Sequence, residues 1–330
     1  SMNFDMAKRV IRHFTKDKPR FHITFFGGEP LLNYRLIKDV ILWCGTLSQT
    51  KFSFALTTNG TLLTRAHLAF FKQNNVALKV SYDGEGLQEK QRLALEQGRK
   101  LPTRVKDRVL IRMQEELVTL RSFGLRATVD REGISAFYEA LKGTLNSHSY
   151  RIAFSRVSSD DPDRMFRKED VTKLTQVYNR VVDHFLQENN FDALMRIDNL
   201  KRWVLAVHRG RGNKSYCGAG ISYLSVSTEG KFYLCHRFTE DKKACIGDIE
   251  QGFDQKKLEA IIGFREKTRD PCRSCWMREF CGGGCFHEHR MANGAIDVVD
   301  PLFCMLQDME LKVAMRVYLA MVKEGYHERL

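Results

Sequence analysis

Cys217 is followed after twelve residues by Gly230 and after four more by Cys235; then come Cys272-x2-Cys275-x5-Cys281-x3-Cys285 and, eighteen residues on, Cys304. Thiolates are soft ligands that suit zinc or iron–sulfur centres, and seven are too many for one four-coordinate site, so two sites are implied. A pair of zinc ribbons would require two groups of four. This series leaves one site a ligand short unless Cys245 or a non-cysteine group completes it. A disulfide framework suits neither the odd total of nine cysteines nor a chain without an export signal.

A second constellation is Gly27-Gly28-Glu29-Pro30, where a β-rich run gives way to a helical pattern. Two glycines let a ligand approach the backbone, Pro30 suits a first helical position, and Glu29 at the carboxyl edge of a parallel sheet suits a ligand ammonium. Taken alone, the tetrapeptide also reads as a turn with an acidic cap. Thr57, Thr58, Asn59 and Gly60 follow the next β-rich run, and Ser81, Asp83 and Gly84 the one after. Three polar, glycine-bearing strand ends in succession read as one rim.

The elements that must position these groups alternate. Residues 21–26, 51–57, 76–81, 125–129 and 150–154 are expected strands, with helical segments between them. Leu32, Leu36, Val40 and Cys44 recur at helical spacing, and so do Leu110, Met113, Leu117 and Leu120 after Thr103 as a candidate N-cap. Strand–helix alternation implies a parallel sheet with helices outside it, doubly wound or barrel-like. A helix with Met6, Val10 and Phe14 on one face precedes the first strand, as if the series had lost an earlier one. Residues 158–170 form a polar boundary, 171–209 read as two helices, and 221–227 with 231–235 read as a hairpin around Thr228-Glu229-Gly230. The expected domains are therefore 1–157, 158–210 and 211–330.

At 330 residues, 43% hydrophobic and 28% charged, the composition is globular and excludes disorder, collagen and coiled coil. No run approaches the roughly 18 apolar residues of a membrane span, so a cytoplasmic protein with no membrane partner is expected. The net charge of +13 favours acidic or phosphate-bearing partners, but there is no single basic block of the kind that marks a nucleic-acid tail. Arg92, Lys100, Arg104, Lys106 and Arg108 form a basic stretch that reads either as a docking site for a carboxylate or acidic leader peptide or as a solvated helix face.

The stretches ITFFGGEPLLNYRLI (23–37), TTNGTLL (57–63) and VSYDG (80–84), with the seven-cysteine series, resemble a radical S-adenosylmethionine (SAM) enzyme with a C-terminal SPASM domain, a group that includes peptide maturases and anaerobic sulfatase maturases. The resemblance covers nearly the whole chain. It implies an α/β fold, a partial (β/α)6 TIM-type barrel here lacking its first strand, then a helical bridge and a small SPASM iron–sulfur module. By position it makes Gly27, Gly28 and Glu29 the loop for the methionine amino group of SAM. Ser81 and Asp83 match the polar strand end beside its ribose and carboxylate, and Asn59 is a further candidate. It assigns one auxiliary 4Fe–4S cluster to Cys272, Cys275, Cys281 and Cys304. A second falls to Cys217, Cys235 and Cys285, either completed by Cys245 or left with an open iron.

The implied activity is hydrogen abstraction from a peptide residue by a SAM-derived radical, leading to a thioether or carbon–carbon cross-link or an oxidation. Its partners would be a peptide or small protein substrate and a reductant such as flavodoxin or ferredoxin; the catalytic residues are unknown. The chain departs from the family where a CX3CX2C loop for the catalytic cluster is expected: residues 1–26 contain no cysteine, and Cys44 reads as core. Ser1-Met2 resembles a cleavage scar, which points to a truncated piece of a longer enzyme, with a natural degenerate relative as the other reading. Either way the chain as given is expected not to cleave SAM. A non-catalytic iron–sulfur peptide-binding scaffold and a zinc-binding nucleic-acid binder are the alternatives from other classes. His236, His287 and His289 lie near cluster cysteines and read either as tuning groups or as packed histidines, and Trp276 and Phe286 as apolar cover.

Overall fold

The computed structural model describes residues 2–84, 86–88, 93–96, 99–102, 106–147, 149–157, 161–212, 215–266 and 270–330. The β-rich runs form β1 (Arg20–Phe25), β2 (Lys51–Thr58) and β3 (Val76–Ser81), then a small antiparallel hairpin of β4 (Leu93–Glu96) and β5 (Arg99–Pro102), then β6 (Phe123–Val129) and β7 (Arg151–Arg156). Five of these make a parallel, curled half-barrel sheet in the order β1-β2-β3-β6-β7. All five expected strands are present, shifted by one or two residues at their ends. Helices lie in each connection, as parallel neighbours need a crossover, and the one from β3 to β6 also carries the β4–β5 hairpin.

The chain gathers into two compact units. One comprises Ser1–Thr57, Phe71–Ala77 and Asn213–Phe303; the other comprises Thr58–Phe70, Leu78–Gly212 and Cys304–Leu330. In the first, the cysteine-rich segment folds on a four-stranded antiparallel sheet ordered β11-β10-β9-β8, with β8 Ser225–Val226, β9 Lys231–Tyr233, β10 Cys245–Asp248 and β11 Gly252–Phe253. Its core joins Phe232, Leu234, Cys235, Phe238, Ile246 and Phe286. Phe14, from the helix Phe4–Thr15, packs edge-on against Phe232 at 5.0 Å and Phe253 at 6.1 Å. Gly230 occupies its place in the cysteine series for a packing reason: its φ is +79°, and a Cβ there would stand 2.7 Å from Ile249 Cγ2.

In the second unit, Leu78, Val80, Leu125, Ala127, Val129, Ile152 and Phe154 form the buried face of the sheet. Phe154 packs on Phe137 of the helix Ile134–Ser147 at 4.8 Å and on Tyr178 of the helix Asp170–Gln187 at 5.4 Å. The buried Glu310, on the helix Pro301–Lys323, accepts hydrogen bonds from Tyr178 Oη (3.0 Å), Asn199 Nδ2 (3.2 Å) and Trp203 Nε1 (3.1 Å). Asn199 also pairs both amide groups with the backbone of Phe154, tying this network to β7.

Several local expectations need correction. The helix after the first loop is Tyr34–Cys44, and its buried stripe is Ile37, Val40, Ile41 and Cys44; Leu32 lies in the preceding turn Pro30–Asn33 and is 78% exposed. The glycine–proline start of that segment delays the helix and so shifts the stripe. Residues 171–209 hold three helices, Asp170–Gln187, Phe191–Met195 and Asp198–His208, because Asn190 caps a separate short turn through Ala193 N. The hairpin strands are shorter than expected. Thr103, Arg92 and Arg104 lie outside the described residues, as do the side chains of Lys100, Lys106 and Arg108.

Candidate functional site

In the first unit, Glu29 caps the turn Pro30–Asn33, with Oε1 accepting from Leu31 N at 3.0 Å. The acidic-cap reading of this loop is therefore realised. Gly27 and Gly28 need a different explanation. Neither has a positive φ, and a Cβ on either would meet nothing within 4 Å. The chain's own packing thus does not demand glycine at either position, and both backbones stay open to a ligand.

In the second unit, Thr58 Oγ1 accepts from Gly60 N at 3.1 Å, and Asn59 Oδ1 accepts from Thr61 N at 2.9 Å and Thr61 Oγ1 at 2.7 Å. Two side-chain-to-backbone turns thereby shape the loop after β2. Ser81 ends β3, and Asp83 two residues on is buried. Asp83 Oδ1 accepts from Thr128 N at 2.7 Å, while Asp83 N donates to Gln88 Oε1 at 2.9 Å. This carboxylate fastens the carboxyl ends of β3 and β6 together, a role its spacing in the sequence does not announce.

The thiols divide more sharply. Burial pushes Cys235 up to about 11, with Cys285 and Cys217 adding to the rise and Arg237 opposing it. Burial also raises Cys285, against the backbone N–H groups of Glu288 and His287 at the start of the helix Phe286–Asn293. Cys217, Cys235 and Cys285 are thus electrostatic neighbours in one unit. Tyr223 lies against the same group: it is raised by burial and by Cys235 and Cys217, and its hydroxyl bonds His236 Nδ1 at 2.8 Å. The ring of His236 lies 4.0 Å from that of Phe26. Cys245 stands elsewhere, opposite Tyr233, with its thiol donating to Gly247 O at 3.2 Å. Among the described residues, no group of three or more His, Cys, Asp or Glu is arranged to hold a single metal ion.

Cys272 and Cys281 lie on short helical turns and Cys275 in the link between them, each partly buried, and the exposed Cys304 is on the helix Pro301–Lys323 in the other unit. Between Cys281 and Cys285 three glycines follow one another with φ of +68°, +84° and +81°. Only glycine accepts such a run cheaply, and a Cβ on Gly284 would come within 2.7 Å of His289 Nε2. His289 is fully buried. Its Nδ1 accepts from Asp300 N at 3.1 Å, which leaves Nε2–H to donate to Gly283 O at 3.1 Å. The packed reading therefore holds for His289. His287 is buried as well, held down to about 4 by burial and then by Arg237. Phe286 joins the core beside Cys235, whereas Trp276 is half-exposed.

Tyr223, Arg237 and Thr128, which sequence reasoning gave no role in the site, act through partners thirteen to fifty-one residues away in the chain. Arg237 pairs with Glu288 across fifty-one residues, and only its place two residues after Cys235 hinted at a part in the site.

No family model matches the chain. It is 24% identical over 287 residues to an uncharacterized protein of Methanocaldococcus jannaschii, covering 84% of this chain and 86% of that protein. It is 22% identical over 322 residues to the cysteine-type anaerobic sulfatase-maturating enzyme of Clostridium novyi, covering 92% and 83%. With the radical SAM cyclopropyl synthase TigE of Paramaledivibacter caminithermalis it shares 32% identity over 77 residues, 23% of this chain and 16% of that one. Among solved structures it matches anSMEcpe with bound AdoMet at a TM-score of 0.77 and 16% identity, covering 100% of this chain and 87% of that one. It matches native anSMEcpe with bound AdoMet and Kp18Cys peptide at 0.75 and 15%, covering 100% and 91%. In sequence pattern and in fold, this chain resembles the radical SAM maturases that carry a SPASM-like, cysteine-rich C-terminal module.

Proposed function

We propose that this chain is the barrel and auxiliary-cluster part of a radical SAM enzyme that modifies a peptide or small protein. The observation that carries the reading is the gathering of Cys217, Cys235 and Cys285 at the spacing of the seven-cysteine series. Cys217, Cys235 and Cys285 are soft donors that a metal centre takes as thiolates, so the donor set fits an iron–sulfur cluster. In this reading Cys217, Cys235 and Cys285 hold one auxiliary 4Fe–4S cluster, and Cys272, Cys275, Cys281 and Cys304 hold the other. The hydrogen bond of Cys245 to Gly247 O favours an open iron over Cys245 as the eighth ligand.

When bound, SAM and a reduced cluster supply the radical chemistry that removes a hydrogen atom from a peptide side chain or α-carbon, leading to a cross-link or an oxidation. The chain's own residues bind and orient. Gly27 and Gly28 admit the ligand to the backbone, and Glu29 offers a carboxylate to the SAM ammonium. Asn59, Ser81 and Asp83 present polar groups for its ribose and carboxylate. Phe238 and Phe286, both buried beside Cys235, keep water from the thiolates. A flavodoxin or ferredoxin is the class of protein that would deliver the electrons. Residues 1–330 contain no CX3CX2C series, so SAM cleavage is assigned to a protein that also carries one.

Anaerobic reconstitution followed by iron and sulfide analysis tests the reading. It calls for a brown protein absorbing near ~400 nm with about eight irons per chain, falling to about four in Cys235→Ala, and no 5′-deoxyadenosine from residues 1–330 alone. A colourless chain holding stoichiometric zinc would overturn it.

A further inference from the structure

Cys217, Cys235 and Cys285 leave their centre one ligand short, and the thiol of Cys245 is committed to Gly247 O. The histidines nearby differ in how their ring nitrogens are occupied. His236 Nδ1 bonds Tyr223 Oη at 2.8 Å, and both nitrogens of His289 are engaged, by Asp300 N and Gly283 O. His287 is 9% exposed, and its Nδ1 is buried with no hydrogen-bond partner. Among the described residues of its unit, no other buried side-chain nitrogen or oxygen is left in that state. A polar atom kept from water without a bond carries its full desolvation cost, so this nitrogen calls for a ligand.

The backbone puts His287 between two of the thiols. Cys285 is the N-cap of the helix Phe286–Asn293, so His287 stands in the first turn of that helix, where its own N–H and that of Glu288 act on the Cys285 thiol. On the other side, the ring of Phe238 meets that of His287 edge-on at 5.2 Å. Phe238 ends the turn His236–Phe238, whose N-cap is Cys235, and its N–H donates to Cys235 O at 3.1 Å. The ion pair of Arg237 with Glu288 fastens the same turn to the same helix. His287 is thus held where the segments bearing Cys235 and Cys285 meet, and Cys217 acts on Cys235 from the third side.

We infer that His287, through Nδ1, is the fourth protein ligand of the centre formed by Cys217, Cys235 and Cys285. The inference deepens the maturase reading and rests on it for the cluster. Neutral imidazole suits iron, and histidine replaces cysteine at some iron–sulfur irons. With the ring proton on Nε2, the Nδ1 lone pair forms the iron–nitrogen bond and no proton is released. His287 thereby occupies the iron that Cys245 leaves open.

The test is pulsed EPR of the reduced, reconstituted chain grown with isotope-labelled histidine. A directly bound histidine nitrogen couples to the cluster spin, and the coupling disappears in His287→Ala and in Cys235→Ala but persists in His236→Gln. On brief oxidation His287→Ala loses about one iron per chain, the one without a protein ligand, while the unmutated chain keeps its iron. His287→Cys holds the iron and abolishes the coupling, and its reduction potential falls because a thiolate replaces a neutral ring. Full iron with no histidine coupling in the unmutated chain would overturn the inference. So would coupling that survives in His287→Ala, or a potential in His287→Cys equal to that of the unmutated chain. A chain that takes up no iron would overturn the maturase reading and this inference with it, so the two failures are told apart by iron content.

Discussion

Single residues carry costs that the rest of the chain must meet. Glu310 accepts from three donors on two helices, and Glu310→Ala removes that shared acceptor from Tyr178, Asn199 and Trp203. The expected loss is about 3 kcal/mol in urea unfolding, with Glu310→Gln milder because one acceptor oxygen remains. A loss under about 0.5 kcal/mol for the alanine variant would mean that water replaces the carboxylate. Cys44 illustrates the opposite environment. Burial alone pushes its thiol up to about 12, so it stays protonated as pH rises through the range where ordinary thiols ionise. In cluster-free protein at about pH 8, iodoacetamide should modify the exposed Cys217 well before Cys44, as read by peptide mass mapping. Comparable rates would contradict the burial. The core reading of Cys44 was legible from its place on a helical stripe, whereas Glu310 sits in a helix with nothing in its neighbours to distinguish it.

At the scale of elements, the cysteine loop depends on backbone conformation as much as on sulfur. The three left-handed glycines between Cys281 and Cys285 turn the chain tightly enough for His289 to reach Gly283 O from inside. Gly284→Ala should cost about 2 kcal/mol or more, from the strained φ and the collision with His289, and should lower the iron retained after reconstitution. Wild-type iron content and melting temperature in that variant would show that the loop relaxes freely. The strands were legible because β-rich runs bounded by glycine and polar residues keep their character whatever surrounds them. The helix phases were less so. Leu32 fits the periodicity, yet Pro30 and the Glu29 cap hold it in a tighter turn that faces solvent. The third helix at Phe191–Met195 is too short to leave a periodic signature.

For the whole molecule, the two units differ in how much apolar material they own. The cysteine-rich segment folds on strands of two to four residues around a small aromatic core, while the other unit buries several long helices on its sheet. Small cores lean on metal for stability. Scanning calorimetry of cluster-loaded and cluster-free chain should therefore show a lower-temperature transition that shifts down by about 10 °C or more on cluster loss, and a second that moves little. Equal shifts of both would tie the clusters to the entire chain.

Sequence alone determined the α/β class, the five strands and the cysteine and glycine–glutamate spacings, because residue type, short spacing and local periodicity are properties of neighbours in the chain. Tertiary structure decided which thiols share an environment, that Asp83 clamps two strand ends and that His289 is a packing residue. Those outcomes depend on register between strands, and register is set by burial and pairing across residues far apart in sequence.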